Sequence, residues 1–210
     1  KMGYALATEA RDRGAQVTLI SGPVALEKPF GVDVWHVDTA LQMRDAVQRA
    51  IPGADVLVMS AAVADFRPAE VATNKIKKRS EGAQTPDTQD ALTLRLVKNP
   101  DILGELAETP YRTNSEQDVE KDGNPGQRLI RVGFAAETRN LETYARQKVA
   151  EKRLDLLVAN DVSRSDSGFG TETNKVSLFH ANGIMEDLPV MPKTGVAVAI
   201  WDRVVSLLHL

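Results

Sequence analysis

Apolar residues recur along this chain with two periods, and the switch from one to the other marks out its elements. Met2, Ala5, Leu6 and Ala10 fall at helical spacing with Glu9, Arg11 and Asp12 on the other side, and Gly14 ends the pattern. Residues 17–21 form a short apolar run between Gly14 and the turn residues Ser21, Gly22 and Pro23, which predicts a buried strand. Leu41, Met43, Ala46, Val47 and Ala50 predict a helix over 39–50 that Pro52 and Gly53 close, and 55–59 is the next strand. Residues 92–97 alternate, Leu92, Leu94 and Leu96 against Thr93 and Arg95, as in a strand covered on one face. Asn99 and Pro100 predict a helix entry, with Ile102, Leu103 and Leu106 behind it. A strand over 129–136 leads to a helix over 137–153, whose stripe is Leu141, Tyr144, Ala145 and Val149. A strand over 154–159 then enters Asn160 and Asp161. Two apolar runs, 175–179 and 184–188, flank Asn182 and Gly183, a hairpin signal, and a last amphipathic helix carries Val196, Ile200, Val204, Leu207 and Leu208.

Strands alternating with helices predict an α/β fold: a Rossmann-like, mostly parallel sheet with helices on both faces, ending in a β-hairpin. Its ligands collect outside the carboxyl ends of the strands. The 210 residues are expected to form a single domain, with polar loop insertions over 79–90 and 113–127, both rich in Gln, Asp, Glu, Gly and Pro. Composition then narrows the function. At 42% hydrophobic the chain has material for a core, which excludes disorder of the whole. Its 26 basic and 29 acidic residues leave a formal charge of −3 and no general attraction to nucleic acid or an anionic membrane, so neither is expected as a partner. An anionic ligand has to be caught by locally placed cations. With no cysteine, disulfides, thiolate metal sites and cysteine nucleophiles are excluded. No membrane span and no signal peptide are expected, and a cytoplasmic location is.

Four places put small or polar residues where such a sheet binds ligands. In 60–65, Ser60, Ala61 and Ala62 let a backbone approach a flat ring or a phosphate, and Asp65 has an acceptor for a ribose hydroxyl, a base amine or a hydrated metal. Tight packing with a turn aspartate accounts for the same residues. Lys75, Lys77 and Lys78 either close over a polyphosphate or form a solvated surface. The run Asn99, Pro100, Asp101, Ile102 and Leu103 is a helix start that offers free amides to an anion or a base edge, or is plain capping. On the helix after 133–138, Tyr144, Lys148 and Lys152 fall at i, i+4 and i+8, either a triphosphate clamp or a solvated face.

Tyr144 and Lys148 also have the Tyr-x-x-x-Lys spacing of short-chain dehydrogenases, in which the lysine lowers the tyrosine pKa for proton transfer. A Rossmann-type NAD(P)-dependent dehydrogenase is therefore a second reading, and a non-catalytic module that binds nucleotide or partner a third. Against the dehydrogenase, no Gly-x-Gly-x-x-Gly follows a strand, and 129–136 has no serine. His36, His180 and His209 are scattered, and there is no Gly-x-Ser-x-Gly elbow. Metal ligands are not assignable from the sequence; a metal that takes part has its natural form in Mg²⁺ carried by nucleotide phosphates with one or two carboxylates.

Seven stretches in order, beginning with Lys1-Met2-Gly3 and Val17-Thr18-Leu19-Ile20-Ser21-Gly22-Pro23-Val24, resemble the phosphopantothenoylcysteine synthetases. The others are Ala61-Ala62-Val63-Ala64-Asp65-Phe66-Arg67, Lys75-Ile76-Lys77-Lys78, Lys98-Asn99-Pro100-Asp101-Ile102-Leu103, Val132-Gly133-Phe134-Ala135-Ala136-Glu137-Thr138 and Ala159-Asn160-Asp161-Val162. They span nearly the whole chain. These are the ligases of coenzyme A biosynthesis, usually the carboxyl-terminal half of a bifunctional bacterial protein. The resemblance implies a CTP-dependent, two-step amide synthesis. The carboxylate of 4′-phosphopantothenate attacks the α-phosphate of CTP and expels pyrophosphate, and the amine of cysteine attacks the acyl-cytidylate and expels CMP. It implies nucleotide contacts at Asp65, Lys75, Pro100, Asp101, Ile102, Leu103, Phe134, Lys148 and Lys152, and by position alone at Ser60, Ala61 and Ala62. Lys75 would lie on a flexible flap and also serve catalysis, Mg²⁺ would accompany CTP, and the working unit would be a homodimer with a site completed across the interface. The family opens with a strand and a loop ending Asn-x-Ser-Ser-Gly-Lys-Met-Gly, whose Asn holds the acyl-cytidylate, whereas this sequence opens at that Lys. The expectation is a domain lacking its first strand and loop, without the flavin-containing decarboxylase that normally precedes it, and with no flavin of its own.

Overall fold

The computed structural model describes residues 1–75, 93–108, 129–137, 141–161 and 170–209, the side chains of Glu137 and Asp161 excepted. The first apolar stripe folds as helix α1 (Met2–Asp12), burying Met2, Leu6, Ala7 and Ala10, and strand β1 (Thr18–Ser21) follows. Strand β2 (Asp33–His36) lies parallel to β1, with Thr18 opposite Asp33. Helix α2 (Ala40–Ala50) starts in a capping box: Thr39 accepts from the Gln42 amide while the Gln42 side chain reaches back to the Thr39 amide. Strand β3 (Val56–Met59) is next, then β4 (Phe66–Pro68), β5 (Leu96–Lys98) and helix α3 (Ile102–Ala107). Strand β6 (Ile130–Glu137), helix α4 (Leu141–Glu151) and strand β7 (Leu156–Asp161) form a strand–helix–strand unit. The remainder is β8 (Thr173–Asn174), β9 (Val176–His180), β10 (Met185–Asp187), β11 (Met191–Pro192) and helix α5 (Lys193–Leu208).

The central sheet runs β10-β9-β7-β6-β3. Strands β3, β6 and β7 are parallel, and the hairpin β9–β10, turned at Gly183 with φ 88°, adds two antiparallel strands. Alternate side chains of β7 serve two layers. Leu156 and Val158 pack with Ile130, Val132 and Val176 beneath α1 and α5, and Leu157 and Ala159 pack with Ala145 and Val149 of α4. A strand buried on both faces has no polar side to show, which is why this segment is a continuous apolar run. A third cluster joins Met43, Ala46 and Val47 of α2 to Ile102 and Leu106 of α3. The expected α/β architecture with a mostly parallel sheet and a late hairpin is the one observed.

Several expected boundaries move. The strand at 92–97 is β5, three residues long, and it pairs only with β4 among the described residues. Leu94 and Leu96 are 58% and 53% exposed, so the side that the alternation predicts as covered is open. The cause is that β4 and β5 form a two-stranded ribbon apart from the main sheet. Residue 137 belongs to β6 instead of opening the helix, and Tyr144 is exposed, not part of a buried stripe. Asn99 is not the cap of α3; Asp101 is. The insertions 79–90 and 113–127, together with Lys77 and Lys78, lie outside the described residues.

Between β1 and β3 is a slot of about 580 Å³, lined by consecutive residues of both strands, 17–20 and 55–61. Consecutive lining residues mean that strand edges, not faces, form its walls. Gly3, Leu6, Ala7 and Ala10 of α1 cover it on one side, and Met43 and Val47 of α2 also line it. Gly3 sits against Ser60, past the carboxyl end of β3, and α1 ends where β1 begins, so β1 and β3 point the same way. The Asp33 amide donates to the Val17 carbonyl at 3.0 Å and the Val37 amide to Ser21 at 3.0 Å, which leaves Thr18 and Ile20 to face the slot. The Ile130 amide donates to Asp55 at 2.9 Å, which leaves Val56 and Val58 facing it from the other edge.

Candidate functional site

A second cavity, a cleft of about 500 Å³, opens beyond the carboxyl end of β3 and beside the carboxyl-terminal half of β6. Such ends collect ligands because the sheet stops there and the loops that leave it diverge. The loop after β3 contributes Ala61 and 63–65, the end of β5 and the start of α3 contribute 98–103, and β6 contributes Phe134. Tyr144, Gln147, Lys148, Glu151 and Lys152 come from α4 and the residue after it, spaced so that one edge of the helix faces the cleft.

The wall at 98–103 is set by side-chain hydrogen bonds. The Asn99 amide group donates to the Ala64 carbonyl at 2.8 Å, its side-chain oxygen accepts from Arg67 at 3.1 Å, and its backbone N–H donates to Asp65 at 2.8 Å. Arg67 also donates to the Lys98 carbonyl at 2.7 Å. Asn99 is 8% exposed and uses both ends of its side chain, so it fastens the loop after β3 to β5. Helix α3 is capped two residues later, where one Asp101 oxygen accepts from the Gly104 amide at 2.9 Å. The other Asp101 oxygen accepts from the Lys152 ammonium. Lys148 donates to the Phe134 carbonyl at 3.3 Å. Burial by itself pushes the Asp101 carboxyl up, but the Lys152 and Gly104 hydrogen bonds and the charges of Lys152 and Lys148 together hold it below its ordinary value.

Of the residues expected from sequence, the cleft brings together Ala61, Asp65, Pro100, Asp101, Ile102, Leu103, Phe134, Lys148 and Lys152. Ser60 lines the slot instead, Ala62 lines neither cavity, and Lys75 is exposed and outside the lining. Sequence reasoning missed Lys98, Gln147 and Glu151 as lining residues. Gln147 and Glu151 stand one position before Lys148 and Lys152, so the same i, i+4 register carries them, and Gln147 donates to Glu151 at 2.6 Å. Among the described residues the cleft is not a basic pocket. Lys98, Lys148 and Lys152 are balanced by Asp65, Asp101 and Glu151. Among the described residues no three His, Cys, Asp or Glu side chains converge as a metal cage. Both Asp101 oxygens are engaged and Glu151 accepts from Gln147, so of the three lining carboxylates Asp65, with no side-chain hydrogen bond among the described residues, is the one best suited to share a cation carried by phosphates.

The family model of the DNA/pantothenate metabolism flavoprotein C-terminal domain matches residues 1–208. The chain is 42% identical over 208 residues to the coenzyme A biosynthesis bifunctional protein CoaBC of Bacillus subtilis (strain 168), covering 99% of this chain and 45% of that protein. It is 42% identical over 206 residues to the protein of the same name in Escherichia coli (strain K12), covering 98% of this chain and 45% of that one. The chain thus spans under half the length of these relatives. A crystal structure of the C-terminal domain of CoaBC superposes with a TM-score of 0.73 at 31% identity, covering 99% of this chain and 82% of that one.

Proposed function

Because the chain belongs to the family of DNA/pantothenate metabolism flavoprotein C-terminal domains, we propose that it is the phosphopantothenate–cysteine ligase of a coenzyme A biosynthesis protein, with CTP as the activating nucleotide. The observation that carries this reading is the cleft, which gathers Asp65, Phe134, Lys148 and Lys152 from segments up to 87 positions apart beyond the carboxyl end of β3 and beside its parallel neighbour β6. Asp65 has the acceptors for a ribose or base, and Phe134 a flat face. Lys148 and Lys152 stand one helical turn apart, a spacing suited to successive phosphates. In the first step a carboxylate oxygen of 4′-phosphopantothenate bonds to the α-phosphorus while the bond to pyrophosphate breaks. Lysines stabilise the charge that builds on the departing oxygens. In the second, the cysteine amine bonds to the acyl carbon and CMP leaves with the bonding pair. Lys75 is assigned to a flap that joins these lysines. Mg²⁺ would neutralise phosphate charge, held by the phosphates and Asp65.

The Rossmann-type dehydrogenase built on Tyr144 and Lys148 is not favoured, given the family. The bare edges of β1 and β3 support a further parallel strand in the slot, as the family resemblance leads one to expect. A second copy of the chain is the proposed partner, and the apolar side of the β4–β5 ribbon, Phe66, Leu94 and Leu96, each over half exposed, is the surface we assign to it. The flavin-dependent decarboxylase is assigned to the rest of the bifunctional relatives. No helix among the described residues is long and apolar enough to cross a membrane, and we assign the reaction to the cytoplasm. The test is pyrophosphate release by the full-length protein. CTP should yield pyrophosphate only when 4′-phosphopantothenate is present, and cysteine should then release CMP. Binding of a nicotinamide dinucleotide in place of CTP would overturn the reading.

A further inference from the structure

The two lysines of the cleft have unequal keepers. Lys148 donates to a neutral acceptor, the Phe134 carbonyl at 3.3 Å, and its charge is not cancelled there. Lys152, one turn on, donates to a carboxylate oxygen of Asp101. That carboxylate is itself fixed, because its other oxygen accepts from the Gly104 amide at 2.9 Å. The pair also rests on α3 closely: a Cβ at position 104 would lie 2.9 Å from the Asp101 Cγ and 3.1 Å from the Lys152 Nζ, so a side chain there would crowd the pair. A carboxylate and a phosphate seek the same donor and repel each other. Asp101 is therefore a rival of any phosphate that reaches Lys152.

We propose that Asp101 is a charge latch on Lys152: its carboxylate holds the ammonium until a polyphosphate takes it, and reclaims it when pyrophosphate leaves. The proposal rests on the cleft being the nucleotide site argued above. A latch of this kind sets a threshold. A ligand with several phosphate charges displaces one carboxylate, whereas a ligand with little charge does not. Among the described lining residues three lysines are balanced by three carboxylates, which acts in the same direction, since walls without net positive charge have weak hold on stray anions.

The experiment titrates the full-length protein calorimetrically with CTP and, separately, with inorganic pyrophosphate. The variants are Asp101→Asn, Asp101→Ser, Lys152→Gln and the double variant Asp101→Asn/Lys152→Gln. Asn and Ser both still cap the Gly104 amide, so helix α3 keeps its start and the two replacements check each other. A single charge a few ångströms away at a solvent-exposed site is worth about a fivefold change in affinity. Both Asp101 variants should therefore bind pyrophosphate about three- to tenfold more tightly, and kcat should fall as release slows. The gain should vanish in the double variant, because the latch acts only through Lys152. Unchanged or weaker pyrophosphate binding in both Asp101 variants overturns the latch and makes Asp101 a holder of Lys152. A gain that survives in the double variant overturns it too, since the carboxylate then acts on the ligand directly. If Lys152→Gln weakens CTP while neither Asp101 variant strengthens pyrophosphate, the latch fails and the nucleotide site stands; if the wild type binds no CTP, both fail.

Discussion

The two cavities beside β3 are similar in size, about 500 and 580 Å³, and opposite in kind. The cleft is walled by the ends of side chains brought from the loop after β3, from β5 and β6, and from α3 and α4 with the residues that flank them; six of its described lining residues are charged. The slot is walled by the edges of β1 and β3, with apolar residues of α1 and α2 over it. Volume alone would rank them together. Their walls separate them, because charged side-chain ends match an ionic ligand, and strand edges that pair with nothing in the slot among the described residues match another strand.

The largest test of this contrast falls on the slot. The backbone of Val58 faces it and that of Leu57 faces β6. Proline removes the backbone N–H, which an edge strand tolerates when that N–H meets water but a central strand does not. If a strand fills the slot in the full-length polypeptide, Val58→Pro should lower stability by about 3 kcal/mol or more in urea unfolding, as Leu57→Pro should in any case. A loss under about 1 kcal/mol for Val58→Pro alone would mean that β3 is a true edge. Next in size is a test of the cleft. Lys148 is half-buried and held by the Phe134 carbonyl, whereas Lys98 is exposed on β5. A charged hydrogen bond is worth about 1.5–3 kcal/mol. Lys148→Gln should thus weaken CTP binding by roughly 10- to 100-fold, and Lys98→Gln by no more than about threefold. Equal losses would show that the cleft attracts the nucleotide by diffuse charge and not by placement.

How much of this the sequence shows depends on how local each signal is. Helices α1, α2 and α5 are legible because apolar spacing and, for α2, a capping box all lie within the element. Strands β2, β4, β8 and β11, two to four residues long, are too short to display a period. The alternation of Leu92, Leu94 and Leu96 is real, but what covers such a face is a tertiary matter, and among the described residues nothing buries Leu94 or Leu96. Asn99 and Asp101 both suit an N-cap by type. Only the fold reveals that Asn99 is claimed by Ala64 and Arg67, more than thirty positions away, which leaves the cap to Asp101. The cleft shows the same division. Motif residues predict that Asp65, Phe134, Lys148 and Lys152 gather, while the pairing of Lys152 with Asp101 crosses 51 positions and has no local trace.

The smallest predicted effect concerns that pair and acid. Burial raises the Asp101 carboxyl, and the bonds from Lys152 and Gly104 outweigh it, so its pKa in the folded chain lies below its ordinary value. A carboxyl with a depressed folded pKa binds protons more readily when unfolded. Its contribution is complete above the unfolded value, near 4, and is lost as pH falls from there through the folded value. The Asp101 side chain is 51% exposed, so water screens the pair and the contribution is about 0.5 kcal/mol. Asp101→Asn should therefore be slightly less stable than wild type at pH 7, and the difference should close below about pH 4. Urea unfolding at both pH values measures it. A difference that persists undiminished at low pH would mean that the Asn variant loses packing or capping, and that the Lys152 pair adds nothing to the fold.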